Sequence, residues 1–326
     1  MRGEFDLIAR YFAPLSKDAP GADGLANDAA VFQVAREKDL VVTADALVAG
    51  VHFLPDDPPD LVGRKLLRVN LSDLAAMGAV PRGYLITLAL PSDTEETWVE
   101  AFAAGLAEDQ KEFGIALYGG DTVSTPGPLT LSLTALGEVP REKALKRSTA
   151  CAGDRVYVSG TLGDGALGLK ALRGELPGLS REHSEALAAR YRLPEPRLEL
   201  GRTLALEGLA SAVIDISDGL IADLGHIAAG SGLAGRVEAA ALPLSDAARA
   251  ALAADPGLRP VILSGGDDYE LLFTAGAEKA EALAALALAL DLPITRIGAM
   301  TEGQGVAAID GAGREMELPK GGWTHF

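Results

Sequence analysis

The chain has 326 residues, 48% of them hydrophobic, a length and composition that can bury substantial cores and favour two domains over one. Its 46 acidic against 29 basic residues give a formal charge of -17, which repels nucleic acid and anionic membrane surfaces and sets both aside as partners. The lone cysteine, Cys151, excludes an internal disulfide and any multi-cysteine zinc or iron-sulfur site, so a bound metal must have other ligands.

No apolar run is long enough to span a bilayer, and the start MRGEFDLIARYF mixes charge into its apolar residues where a signal peptide needs an unbroken stretch. The expectation is a cytoplasmic protein. In chain order, short β-rich runs alternate with longer amphipathic ones, which predicts an α/β (α+β) chain. Strands are expected at 30–34 and 40–43, a helix at 61–77 ending near Gly78, a strand at 84–90, a helix at 95–113 ending near Gly114, and a strand at 129–136. A connection follows at 139–154, with the basic run 141–147, and the domain boundary is placed there, giving domains 1–140 and 141–326. The second half continues with a strand at 155–159, a helix at 196–206, a strand at 212–216, a helix at 219–229, and strands at 260–263 and 270–274.

Two stretches echo each other: IALYGGDT at 115–122 and VILSGGDD at 261–268 both set an apolar strand before Gly-Gly-Asp. Paired glycines permit a sharp turn and close approach of a ligand, with the next carboxylate presented at a strand end, where α/β sites usually sit. Other acidic residues recur beside turns or strand ends: Asp28 in LANDAAVF, Asp45 in VVTADAL, Asp215 and Asp218 in VIDISDGL. Singly, each reads as a turn or cap residue. Asp73 differs, because it falls within a predicted helix among Leu66, Val69, Leu74 and Met77, with Asn70 one turn earlier. Carboxylates that converge without cations repel one another, whereas a divalent ion makes the arrangement favourable, and all-oxygen ligation suits magnesium. The sequence has no GxxxxGK[ST] loop, no GxGxxG after its first strand and no protein-kinase HRD or DFG. The glycine-rich run VSGTLGDGALGLK at 158–170 leads from a strand into a helix and reads first as a tight turn with close packing, second as an anion site.

The strings TADALVAGVHF (43–53), RVNLSDLAAMGAVPRGYLITLALP (68–91), YGGDT (118–122), DISDGL (215–220) and SGGDDYELLF (264–273) resemble the successive signatures of the thiamine-monophosphate kinase family. EFDLIARYF and GGWTHF resemble that family's termini, so the similarity spans nearly the whole chain in order. The family shares a superfamily with aminoimidazole ribonucleotide synthetase, selenophosphate synthetase and a hydrogenase-maturation protein, all users of ATP.

The resemblance implies two α/β domains of the aminoimidazole ribonucleotide synthetase-like fold, the N-terminal sheet pairing across a homodimer with ATP near that interface. It implies ATP- and magnesium-dependent phosphorylation of thiamine monophosphate by direct in-line transfer, with no catalytic base. Asp28, Thr43, Asp45, Asp73, Asp121 and Asp215 would form a cluster for several magnesium ions, with Asp218 close by. Gly120, Asp121, Arg147 and Ser217 would meet the nucleotide. His52 would meet the acceptor phosphate, and Asp267 and Trp323 its pyrimidine ring. Trp323 reads equally as a packed tail residue or as an aromatic face for a heteroaromatic ring. His52, between Val51 and Phe53, would by itself read as a structural histidine. Glu270 reads as a strand residue.

Two departures stand out: Ala26 and Asn27 where the family usually has a glycine-acidic pair, and Ala44 where it commonly has a second hydroxyl residue, which implies altered metal affinity. The alternatives are an ATP-dependent synthetase of the same superfamily and an inactive nucleotide-binding paralogue. The lack of a cysteine near either terminus disfavours selenophosphate synthetase and the hydrogenase-maturation protein.

Overall fold

The computed structural model describes residues 4–25 and 29–317. The chain divides into two compact units, Met1–Leu74 with Ala79–Glu142, and Ala75–Gly78 with Lys143–Phe326.

The first unit opens with the short helix α1 (Glu4–Leu7) and a run of helical turns to Leu25. β1 (Lys38–Val48), α2 (Pro59–Ala76), β2 (Val80–Pro91), α3 (Glu96–Phe113), β3 (Ala116–Thr125) and β4 (Thr130–Pro140) follow. The four strands form one mixed sheet in the order β1-β4-β2-β3, parallel only at β2 and β3. Period-two alternation decides its faces: β2 buries Tyr84, Ile86, Leu88 and Leu90 and exposes Leu85, while β4 buries Leu131, Leu133 and Ala135. Leu66, Leu67, Leu71 and Leu74 of α2 and Val99, Phe102 and Leu106 of α3 are buried too. The helices cross closely because glycines stand at the contact. A Cβ at Gly63 would lie 2.6 Å from the Phe102 carbonyl oxygen, and one at Gly105 2.0 Å from that of Asp60. Arg64 and Arg68 of α2 both bind Asp109 of α3, at 2.8 and 2.7 Å, across the same seam. α3 ends as expected, with Gly114 at φ 64° donating to the Gln110 carbonyl.

In the second unit, β5 (Arg155–Ser159), α4 (Asp164–Leu172), α5 (Arg181–Arg192), α6 (Leu198–Glu207), β6 (Ala212–Asp215), α7 (Leu220–Ser231) and β7 (Ala234–Glu238) come first. α8 (Asp246–Ala254), α9 (Arg259–Ser264), β8 (Leu271–Ala275), α10 (Ala280–Ala289), β9 (Ile294–Thr301) and β10 (Gly305–Ile309) complete it. Its sheet runs β10-β7-β9-β5-β8-β6, parallel only at β10 and β7. Both faces are covered, and the strands therefore read as continuous apolar runs. Val156, Val158 and Leu272 pack with Leu224 and Ile227 of α7, whereas Tyr157, Leu271 and Phe273 pack with Leu204 of α6 and Leu283 of α10. A separate core joins Leu167, Leu187, Ala248 and Ile262 of α4, α5, α8 and α9.

Three expectations change. Residues 30–34 form no strand: Val31 donates to the Gly21 carbonyl, and the segment finds no ladder partner among the described residues. Residues 260–263 belong to helix α9, whose Pro260 sits in the first turn; a four-residue apolar run does not distinguish helix from strand, and Pro at that position fits a helix start. The two Gly-Gly-Asp stretches are therefore not structural equivalents. The first lies inside β3, where Gly120 lets the strand press on β2, since a Cβ there would lie 2.1 Å from the Ile86 carbonyl oxygen. The second follows α9.

Candidate active site

In the first unit, Thr43 and Asp45 share the β1 face of buried Val41 and Leu47 and are half-buried themselves, so they break an otherwise apolar stripe. α2 supplies Asp73, whose Oδ2 accepts a 2.5 Å hydrogen bond from Thr43 Oγ1. Burial first, and the Asp73 charge second, push the Asp45 carboxyl up to about 6. Asp73 is raised as well, again chiefly by burial, with the Thr43 bond opposing. Among the described residues neither carboxylate has a cationic partner. An all-oxygen set of two crowded carboxylates and a hydroxyl is the donor chemistry of a hard divalent cation, and the residues present fit magnesium. Ala44 points to the opposite face of the strand, away from Thr43 and Asp45.

Asp121 and Gly120 are placed differently. Asp121 pairs with Thr87 in β3, at the sheet edge opposite β1, about 14 Å across at ordinary strand spacing. It is exposed and lines a cavity of about 580 Å³ with Phe12, Phe32, Leu85, Tyr118 and Thr134, on the sheet face that carries the exposed Leu85. One chain therefore does not bring Asp121 to Thr43, Asp45 and Asp73.

His52 lies in the turn after β1. Its Nδ1 accepts from the Val48 N–H at 3.0 Å, so the neutral ring carries its proton on Nε2 and offers a donor there. The buried Lys65 of α2 donates to the His52 carbonyl at 3.1 Å and steadies the turn.

In the second unit, Asp215 ends β6 and is buried, and Ser217 and Asp218 form the turn into α7. Sequence reasoning missed Asp223, one turn into α7 in DISDGLIADLGH. Its Oδ2 accepts from the N–H groups of Asp218 and Gly219 at 3.2 and 3.0 Å. Burial, then the charges of Asp215 and Asp218, push its carboxyl up to about 8 against those two bonds. Asp218, Asp223 and His226 bring ligand atoms within 4.8 Å of one another, a second group able to hold a cation. Its signal was the helical spacing of Asp223 and His226 behind Asp218.

The SGGDDYE segment runs beside this turn. Asp267 N–H donates to the Ser217 carbonyl at 3.0 Å and Tyr269 N–H to that of Ile216 at 2.8 Å. Asp268 and Glu270, also missed as site-building residues, are both buried. The Asp268 carboxylate accepts from Gly163 and Gly165 N–H at the start of α4, so the amides of the glycine-rich run hold the chain's own carboxylate, in keeping with its reading as a turn. Burial pushes Asp268 up to about 8, with those two amides opposing. Arg147 is exposed on the segment leading to β5. Asp28 and Trp323, like Ala26 and Asn27, lie outside the described residues.

Two mixed sheets, each with its own helices and its own carboxylate group, define the class. Residues 26–139 match the family of the AIR synthase related protein, N-terminal domain, and residues 152–311 that of the AIR synthase related protein, C-terminal domain. Within that class the chain is 46% identical, over 99% of its length and 90% of the relative's, to the thiamine-monophosphate kinase of Caulobacter vibrioides. The crystal structure of thiamine-monophosphate kinase from Stenotrophomonas maltophilia superposes with a TM-score of 0.79 at 48% identity, covering 87% of this chain and 89% of that one. A structure described as AaThiL complexed with AMPPCP and TMP has the same TM-score at 34% identity, covering 100% and 99%. The chain belongs to the thiamine-monophosphate kinase family.

Proposed function

We propose that this chain transfers the γ-phosphoryl group of ATP to the phosphate of thiamine monophosphate, giving thiamine diphosphate and ADP. The observation that carries the reading is family membership over 99% of the chain. The geometry agrees with it. The acceptor is a phosphate monoester whose second pKa, about 6, leaves it largely ionised at neutral pH, so no general base is needed. The demand is instead to bring two polyanions together in line. Magnesium, held by Thr43, Asp45 and Asp73, with Asp28, Asp121, Asp215 and Asp218 as further ligands, would neutralise the phosphates. Gly120, Arg147 and Ser217 bind the nucleotide. His52 donates a hydrogen bond from its Nε2–H to the acceptor phosphate, and Asp267 and Trp323 orient the pyrimidine. Transfer is direct, without a phosphoenzyme.

Two copies pair through the open face of the first sheet. Leu40, Val42, Leu85 and Val123, all more than 40% exposed on its strands, support this, as does the position of Asp121 at the edge away from β1. Cytoplasmic residence is supported by the acidic composition and the lone cysteine, and among the described residues no helix is long and apolar enough to cross a membrane.

The test supplies purified protein with magnesium ATP and thiamine monophosphate and follows ADP and the phosphorus spectrum. A thiamine diphosphate signal that requires both magnesium and the monophosphate is the expected result. Turnover only with formylglycinamidine ribonucleotide would move the chain to the synthetases, and ATP binding without turnover on any acceptor would mark an inactive paralogue.

A further inference from the structure

The segment 264–270 is held in a shape its own residues disfavour. Asp267 at φ 67° and Tyr269 at φ 51° are both left-handed, a region that Cβ sterics discourage. Such a conformation persists only when the surroundings over-determine it. On one side the 215–220 turn does so, through the bonds of Asp267 and Tyr269 to Ser217 and Ile216. Gly266 sits against it so tightly that a Cβ would lie 2.1 Å from the Ser217 carbonyl oxygen. On the other side stands Asp268, 3% exposed, accepting from Gly163 N–H at 2.7 Å and from Gly165 N–H at 3.0 Å. A Cβ at Gly165 would lie 2.3 Å from the Asp267 carbonyl oxygen, so Asp267 itself is wedged against the start of α4.

We propose that Asp268 is a positioning residue for the acceptor: it ties the strained segment to the first turn of α4 and so fixes Asp267. The inference rests on the reading above that Asp267 meets the acceptor. Asp268 does not touch substrate, because it is buried and its two oxygens are each committed to a backbone amide. An asparagine has the same shape but one acceptor oxygen, so it leaves one amide unmatched and lets the segment relax.

The experiment compares Asp267→Asn, Asp268→Asn and the double variant in steady state, varying thiamine monophosphate and ATP separately. Asp267→Asn should raise KM for thiamine monophosphate about tenfold or more, and Asp268→Asn should do likewise while KM for ATP stays within about twofold. The double variant should be no more than about twofold worse than Asp267→Asn, because both act through one contact. Asp268→Glu, one methylene longer, should not restore the acceptor KM. Positioning is overturned by a normal acceptor KM in Asp268→Asn beside an impaired Asp267→Asn, by multiplicative losses, or by equal losses for both substrates. An unimpaired Asp267→Asn removes the acceptor reading itself, and the inference with it. If Asp268→Asn does not fold, Tyr269→Gly frees the same segment at a backbone angle that glycine accepts, and an unchanged acceptor KM there overturns the proposal equally.

Discussion

Replacing Glu270 by glutamine should destabilise the second unit far more than a change of one atom suggests. The Glu270 side chain is fully buried and receives four bonds on two oxygens: from Ser159 at 2.6 Å, Arg190 at 3.0 Å, and Arg197 twice, at 2.7 and 2.5 Å. Glutamine keeps the shape but has one acceptor oxygen, and its amide N–H groups face cationic donors. Breaking a buried ion pair from one side typically costs about 3–5 kcal/mol. Here the arginines retain 22% and 16% of their side-chain exposure and recover some hydration, which favours the lower end, about 3 kcal/mol. For a unit of this size that is roughly 6–12 °C in melting temperature. Scanning calorimetry on Glu270→Gln, Arg197→Met and the double variant checks it. The double should recover part of the loss, because it removes both buried charges of the tightest pair. A Glu270→Gln protein within about 0.5 kcal/mol of the parent, the range of ordinary surface substitutions, would refute the reasoning.

Asp73→Asn should lower magnesium-dependent turnover roughly 100-fold or more, an expected loss of about 3 kcal/mol in transition-state stabilisation. In metal-free protein the same change should move Asp45 down from about 6, as carbon-13 titration of the carboxyl would show; an unmoved Asp45 contradicts the coupling. The sign of the pH dependence follows from raised carboxyl groups. Below about pH 4 Asp45 is protonated in both folded and unfolded states; as pH rises towards 6 the unfolded chain loses that proton first, and the folded state loses stability, up to about 3 kcal/mol from this group. Metal-free protein should therefore resist urea better at pH 5 than at pH 7, and added magnesium should stabilise it more at pH 7; the reverse order in either comparison is the failing result. Gly105→Ala should cost about 1–3 kcal/mol in thermal denaturation, because its Cβ would lie 2.0 Å from the Asp60 carbonyl oxygen at the α2–α3 crossing. An unchanged melting temperature would mean that the crossing can open.

Legibility in the sequence tracked the strength of the local signal. α2 and α3 were readable because each runs 18 residues with one apolar stripe and a glycine just beyond it. β2 and β4 were readable from alternation, since only one face of their sheet is buried. The second sheet is covered on both faces, which removes alternation; its strands β7 and β10, five residues each, and its alanine-rich helix α10 carried no usable period. Residues 260–263 show the same ambiguity resolved by packing, with Ile262 filling the α4–α5–α8 core as a helical residue. Within the site, Asp45 and Asp73 were visible as carboxylates in apolar company. Asp268 and Glu270 were not, because their partners lie up to 111 residues away and nothing in spacing reveals a carboxylate that bonds a distant amide or arginine; Asp223 left only its helical spacing with His226 behind Asp218.

The missed carboxylates and the recognised ones differ in how their burial is compensated. Glu270 is matched by two arginines, and Asp268 by two helix-start amides. Asp73 has one hydroxyl, from Thr43, and its charge acts on Asp45, while Asp223, which takes both its amides on Oδ2, stands beside the charges of Asp215 and Asp218. A fold selected for stability alone would replace such groups or pair them, since each raises the protonated fraction and weakens the folded state near neutral pH. The pattern is therefore informative in a way that carboxylate count is not: compensated carboxylates mark the scaffold that holds the turns in place, and uncompensated ones mark where a cation and its phosphates are expected. Amide count and burial do not separate Asp223 from Asp268, since each accepts from two amides and both rise to about 8; what separates them is that Asp268 has both oxygens tied to the start of α4, whereas Asp223 takes both amides on Oδ2 and faces the charges of Asp215 and Asp218.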